Sequence, residues 1–316
     1  MDFKSQKKNS KKAFEELTAK LEKENTKTYS RDERYWQITR DQAGNGSAVI
    51  RFLPPAPDDG ENYNVKIIKN YTKGPGGKYY NELSRFTLGR DERDPFTEIK
   101  SKYWNMSDDD KSPSRKAARQ LERKVTYHSN IYVVKDPACP ENEGKVFMFS
   151  YGKTIYDKLN DVMFPPKDDF EEKAPFNPYD FWEGANFVIR VYKDGEWPSY
   201  DKSKFNSQSK LIDTKDEDAD DEAMEKIWKS EYKLSDLVAP ERFKSYDELK
   251  KKLNLVLELN DDGESISEKS SGTKRAHVSE SLDDGPEEQV SKSAASEPDD
   301  DGDVDIEAFR KMMEES

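Results

Sequence analysis

At 316 residues, with 33% hydrophobic and 38% charged positions, the chain can hold one large domain with appendages or two domains, but much of it must stay in water. No apolar run approaches the ~20 residues that cross a bilayer, and the start "MDFKSQKKNSKK" has charge without an apolar signal-peptide core. Cys139 is the only cysteine, so no internal disulfide can form and a reducing, cytoplasmic setting fits.

The net charge of −13 is not spread evenly. Residues 261–316 hold 18 acids and 6 bases, which leaves 48 acids against 47 bases in residues 1–260. Within that nearly neutral body, residues 111–128 carry Lys111, Arg115, Lys116, Arg119, Arg123 and Lys124 against the single acid Glu122. Residues 1–12 carry Lys4, Lys7, Lys8, Lys11 and Lys12 against Asp2. The charge is therefore laid out in blocks.

In chain order, residues 10–24 space Phe14, Leu17 and Leu21 at helical intervals behind Ser10, which predicts a short amphipathic helix after a lysine-rich start. From Tyr35 the grammar is of strands and turns. "YWQITRDQAGNGSAVIRFLPP" predicts a strand, a turn at Asn45-Gly46 and a second strand through Ile50 and Phe52. "NVKIIKNYTKGPGGKYYNEL" repeats this around Gly74-Pro75-Gly76-Gly77. Further strands are expected at 125–134, 145–151 and 185–193, and several short strands joined by turns suggest a small barrel or sandwich. Helix-formers return at 219–232, and Ser245 with Glu248 stands at capping-box spacing. Beyond residue 260 Phe309 is the only aromatic, so this stretch cannot bury enough surface to offset its ordering entropy and is read as disordered, with a short partner-binding helix conceivable at its end.

Catalytic chemistry has little to stand on. His128 and His277 are the only histidines, no Walker-type or GxGxxG loop occurs, and one cysteine with two histidines cannot build a four-ligand N/S zinc site. Acid runs such as Asp108-Asp109-Asp110 are more often solvated loop than cation sites, although a nuclease using such a cluster stays open as a rival. Single-strand binding fits better, because it pairs cations that follow phosphates with rings on which bases stack. The chain offers that mixture four times: Lys66, Lys69, Tyr71, Lys78, Tyr79 and Tyr80; Arg123, Lys124 and Tyr127; Phe149, Tyr151 and Lys153; Trp197, Tyr200 and Lys202. Core packing is the commoner fate of any single strand aromatic, yet four clusters together favour a surface. Strand alternation sets Arg123 and Tyr127 on one face, Lys124 and His128 on the other.

The segments "AGNGSAVIRFLP" (43–54), "VKDPACPENEGKVF" (134–147), "WEGANFVIRV" (182–191) and "YDKSKF" (200–205) resemble, in order and spacing, the single-stranded DNA-binding, helix-destabilising proteins of T-even-type bacteriophages. The resemblance spans about residues 35–255. It implies an α+β, mainly β fold: an OB-fold-like five-stranded barrel with helical additions, an N-terminal helical arm and a disordered acidic C-terminal tail. The domains it implies are a basic cooperativity arm at 1–30 (Lys4, Lys7, Lys8, Lys11, Lys12), a DNA-binding core at 31–258 and a partner-binding tail at 259–316. Arg123, Lys124 and Thr126 match a basic–Ser/Thr motif of that family, Tyr127 matches an aromatic, His128 stands where Trp can occur, and Trp197 and Tyr200 match a cleft pair. The expected DNA-binding set is Lys66, Lys69, Tyr71, Tyr79, Tyr80, the basic run Arg115, Lys116 and Arg119, then Arg123, Lys124, Tyr127, His128, Phe149, Tyr151, Lys153, Trp197 and Tyr200, with Arg123, Lys124 and Tyr127 meeting DNA in one cleft.

The resemblance further implies a non-enzymatic protein of the infected bacterial cytoplasm that coats single strands during replication, recombination and repair. Self-association along DNA and recruitment of replication proteins through the tail come with it; the alternative role for the tail, argued from its charge of −12, is competition with DNA for the basic cleft. A sequence-tolerant RNA-binding barrel is the alternative. The family's zinc is held by one His and three Cys after a "GKWY"-like segment. Residues 77–104, "GKYYNELSRFTLGRDERDPFTEIKSKYW", have neither residue type, so no cofactor is expected, and a subdomain packed on Leu83, Phe86, Phe96 and Ile99 must supply the lost folding energy.

Overall fold

The computed structural model describes residues 32–165 and 174–260. The expected arm lysines Lys4, Lys7, Lys8, Lys11 and Lys12, the helix at 10–24 and the acidic tail lie outside the described residues.

One strand organises the rest. β5 (Glu122–Lys135) is 14 residues long and exceeds what one neighbour can pair. Along one edge it pairs antiparallel first with β3 (Val65–Lys73) and then with β2 (Gly46–Phe52). Its other edge takes β6 (Val146–Tyr151) from Tyr127 to Tyr132. β6 pairs parallel with the two-residue β1 (Tyr35–Trp36), and β2 pairs with β7 (Ala185–Asp194). β7 carries β8 (Trp197–Ser199) and β9 (Lys204–Gln208), while β4 (Tyr79–Leu83) pairs only with β3.

This differs from the five-stranded barrel expected from the sequence. The described strands form a nine-stranded sheet that is mixed with helices and does not close. A barrel needs its end strands to pair, and here β1 has only two residues while β4, at the other end, pairs with β3 alone. The predicted hairpin over 35–52 is also not formed, since β1 and β2 have different partners. The turn falls earlier than Asn45-Gly46: Gly44, at φ +84°, donates to the Asp41 carbonyl. Gly46 opens β2 because a Cβ there would lie 2.4 Å from the Thr39 carbonyl. The turn at Gly74–Gly77 does form as expected, with Gly77 at φ +75° and Gly74 against the Val256 carbonyl.

On one face of the sheet, Ile50, Phe52, Ile131, Val133, Phe187 and Ile189 are sealed from solvent beside Trp36, Phe149 and Tyr151. Burying each such side chain contributes roughly 1.5–3 kcal/mol. The helix α3 (Lys153–Met163) presses Ile155 and Leu159, one turn apart, into this cluster.

A second apolar cluster belongs to the region lacking zinc-type ligands. Asp94 caps α1 (Pro95–Asn105) by accepting from the Phe96 and Thr97 amides. The same carboxylate accepts from the Ser84 hydroxyl at 2.7 Å, the Arg85 amide and the Asn70 side chain, so one acid ties β3, the β4 exit and α1 together. Phe96 packs parallel to Tyr80 at 5.4 Å, among Leu121, Leu249, Leu253 and Val256. Of the expected packing residues, Phe96 and Ile99 join this cluster, Leu83 packs with Val65 and Ile67, and Phe86 lies beneath the Arg123 guanidinium.

The helix at 246–257, α5 after α2 (Pro113–Gln120) and α4 (Glu217–Lys229), carries the expected capping box of Ser245 and Glu248. It docks on β4 through Glu82, whose carboxyl is pushed up by burial but held below the usual range by the Lys244 and Lys252 ammoniums.

Candidate nucleic-acid interface

Side chains along β3 and β5 alternate between two faces, and cross-strand register shows which residues share one. Lys66 stands opposite Tyr127 and Asn70 opposite Arg123. This is the inner face, continuous through Ser129, Ile131 and Val133 with the sealed cluster. Lys69 stands opposite Lys124 and Val65 opposite His128 on the outer face. The predicted alternation thus holds, but it divides the expected site: Lys124 does not share a face with Arg123 and Tyr127.

The inner face gathers a strip of cations and rings. Desolvation, then the nearby charges of Arg123 and Arg90, lower the Lys66 pKa, so three cations share one neighbourhood. Among the described residues Lys66 has no carboxylate within ion-pair distance. Arg123 is held over the Phe86 ring at 5.4 Å and donates to the Thr97 hydroxyl at 2.6 Å. Tyr127 stacks on Tyr156 of α3 at 3.8 Å, with the planes 6° apart. Burial, then Tyr156 and Asp157, raise the Tyr127 pKa, while Lys153 opposes them. Tyr127 is thus flanked by Tyr156 and, at 6.0 Å and 21° from parallel, by the buried Tyr151, while the Tyr127 and Tyr156 rings are both only partly buried.

α3 also connects this strip to the remaining aromatic pair. Lys158 donates to the Asp201 carbonyl at 3.0 Å, next to Tyr200, which packs against the inner cluster. Trp197 on β8 is 76% exposed.

Four expected contacts are core instead. Tyr80 is fully buried against Phe96. Phe149 and Tyr151 point into the inner cluster, where the Tyr151 hydroxyl lies 2.8 Å from that of Ser129. His128 is buried between the Tyr35 and Thr126 hydroxyls, each 3.1 Å from one ring nitrogen. Desolvation, with Lys69 and Arg242 nearby, lowers its pKa to about 4, so the imidazole is neutral at pH 7. Arg115 and Arg119 of α2 bracket the Trp104 ring and pair with Asp108 and Asp110, which pins the loop between α1 and α2. Lys116, on the same helix, is exposed.

The outer face carries Lys69, Tyr71, Lys73, Tyr79 and Lys124, all exposed. A separate open concavity of about 640 Å³ is lined by Val49, Lys135, Val188, Arg190 and Lys202, the last being the lysine of the fourth basic–aromatic cluster.

Sequence reasoning missed Tyr156, Arg90 and Lys73. Tyr156 had a signal, since it stands one helical turn from Lys153 in "GKTIYDK". Arg90 lies in a loop that only the fold brings to Lys66.

Cations interleaved with partly exposed rings on an open sheet are the chemistry of a nucleic-acid-binding surface. Comparison with known proteins agrees. Residues 44–257 match the family described as gp32 DNA binding protein like, and the chain belongs to that family. It is 36% identical over 248 residues to the single-stranded DNA-binding protein of Enterobacteria phage T4, covering 78% of each chain. It is also 36% identical over 228 residues to that of Enterobacteria phage T2, covering 72% of this chain and 71% of the relative.

Proposed function

We propose that the chain binds single-stranded DNA without catalysing a reaction, coating exposed strands cooperatively and protecting them during phage DNA replication, recombination and repair. The observation that carries this reading is the inner-face strip in which Lys66, Arg123 and Lys153 border the stacked Tyr127–Tyr156 pair. Phosphates follow the cations while bases stack on the rings, with Trp197 and Tyr200 extending the path beyond α3. Each base stacked contributes roughly 1–3 kcal/mol, and any sequence is accepted. A ligand that prefers the open strand removes hairpins by mass action.

In this reading the basic arm at 1–30 joins neighbouring copies along DNA, and the acidic tail at 259–316 recruits replication, recombination and repair proteins in the cytoplasm of the infected host. No cofactor takes part. The Asp94 hub and the cluster around Phe96 support a subdomain that folds without zinc, and a chelator is expected to leave its melting temperature unchanged. The test of the main reading is competition between matched oligo(dT) and oligo(rU) for the chain, followed by tyrosine and tryptophan fluorescence. Quenching with preference for the DNA supports it. Preference for the RNA would favour an RNA-binding protein instead, and cleavage of labelled strands with Mg²⁺ would mean an enzyme.

A further inference from the structure

The outer face of the β3–β4–β5 ribbon has a composition that structural packing does not explain. Toward its Val65 end it is apolar and covered: Val65 and Ile67 lie beneath Leu234, Leu237 and Tyr232. Toward its Lys73 end it is bare. There Lys69 stands directly opposite Lys124 across the strands, an arrangement that is destabilising for like charges. Among the described residues neither lysine has a carboxylate within ion-pair distance, and Glu122, opposite Tyr71, is the acid that shares their face. Lys69 and Arg242 both act electrostatically on the buried His128, which extends the positive field along the ribbon. Beside the lysines, Tyr71 and Tyr79 remain 39% and 54% exposed. Their rings lie 6.0 Å apart and 29° from parallel, and the Lys73 ammonium sits 5.4 Å from the Tyr79 centroid.

We infer that this outer face is a second contact for single-stranded DNA, separate from the inner strip. The inference rests on the single-strand reading above and extends it. Charge complementarity selects the occupant: Lys69, Lys124 and Lys73 relieve their mutual repulsion against successive phosphates, while a base stacks on the exposed side of the Tyr71–Tyr79 pair. A sheet one strand thick separates the two sites, so a strand cannot pass through from one to the other. It must round the Gly74–Gly77 turn or come from a different molecule. One protein thus holds two segments of single strand at once.

The test tethers a short oligo(dT), about eight nucleotides long, to a surface and loads it with the full chain. Free protein is washed away and a fluorescent oligo(dT) of the same length is added. The wild type is expected to load and then to retain the second oligomer. The double variant Y71A/Y79A, both of whose rings are solvent-facing, is expected to load within about twofold of wild type but to retain the second oligomer at least about tenfold less well, as loss of stacking dictates. K69Q/K124Q is expected to lose retention in the same way, and far-UV circular dichroism establishes that both variants are folded. Loading without second capture by the wild type, or equal capture by Y71A/Y79A, overturns the second site. Failure of the wild type to load at all overturns the single-strand reading itself, and the second site falls with it.

Discussion

The two halves of β5 share one backbone geometry and one inward-facing row of residues, yet they do opposite work. From Ser129 to Val133 that row is sealed: Ile131 and Val133 are fully buried opposite Phe52 and Ile50. From Arg123 to Tyr127 the same row meets Phe86, Thr97 and Tyr156 instead, and the cover is incomplete. Alternation determines which way a side chain points. What lies across from it determines whether the result is core or contact surface.

The contrast can be broken most forcefully at the buried rings that composition grouped with the binding ones. Tyr80→Ala is expected to cost about 3–5 kcal/mol of stability, as for other large buried rings, measured by denaturant unfolding. Tyr80→Phe should be neutral or mildly stabilising, because the hydroxyl is buried without a hydrogen-bond partner among the described residues. Next in size is His128. Its pKa is lowered in the folded protein to about 4 from an ordinary 6.5, so between those values the unfolded chain binds more protons. Stability is then full above pH 6.5 and is lost as pH falls toward 4. Relative to the non-titrating variant H128N, the wild type should lose on the order of 3 kcal/mol across that window. A constant difference would mean that the imidazole is not desolvated.

Trp197→Ala reverses the pattern. With the ring 76% exposed, stability should change by less than about 0.5 kcal/mol, while oligo(dT) binding weakens by about 1–3 kcal/mol. Equal losses in stability and binding would make Trp197 a packing residue.

Much of this division was legible in advance. Strand positions, the Gly74–Gly77 turn, the capping box at Ser245 and the alternation within β5 follow from local rules, and the structure has them. Barrel closure does not follow from such rules, since it depends on whether β1 finds an end-strand partner. The three central helices were missed for separate reasons. α1 has a clear start in Asp94-Pro95 and apolar residues at Phe96, Ile99 and Tyr103, but it sits in a stretch read for zinc ligands. α2 buries only Ala118, so it has almost no apolar stripe to detect. α3 buries just Ile155 and Leu159. The site was half legible for one reason: a strand aromatic reads the same whether its neighbour is solvent or Phe52. Phe149 and Tyr127 are told apart only by tertiary packing.

The most direct test of the central claim is a titration of oligo(dT) into wild type and K66Q, following intrinsic fluorescence at several salt concentrations. Lys66 is exposed, opposite Tyr127 and without an ion pair among the described residues, so its charge can be removed without disturbing the core. The inner strip predicts quenching, a log K that falls linearly with log[salt], and a slope shallower by about 0.7 in K66Q, the loss of one phosphate contact. Identical slopes for the two proteins, or binding indifferent to salt, would contradict a DNA path along that face.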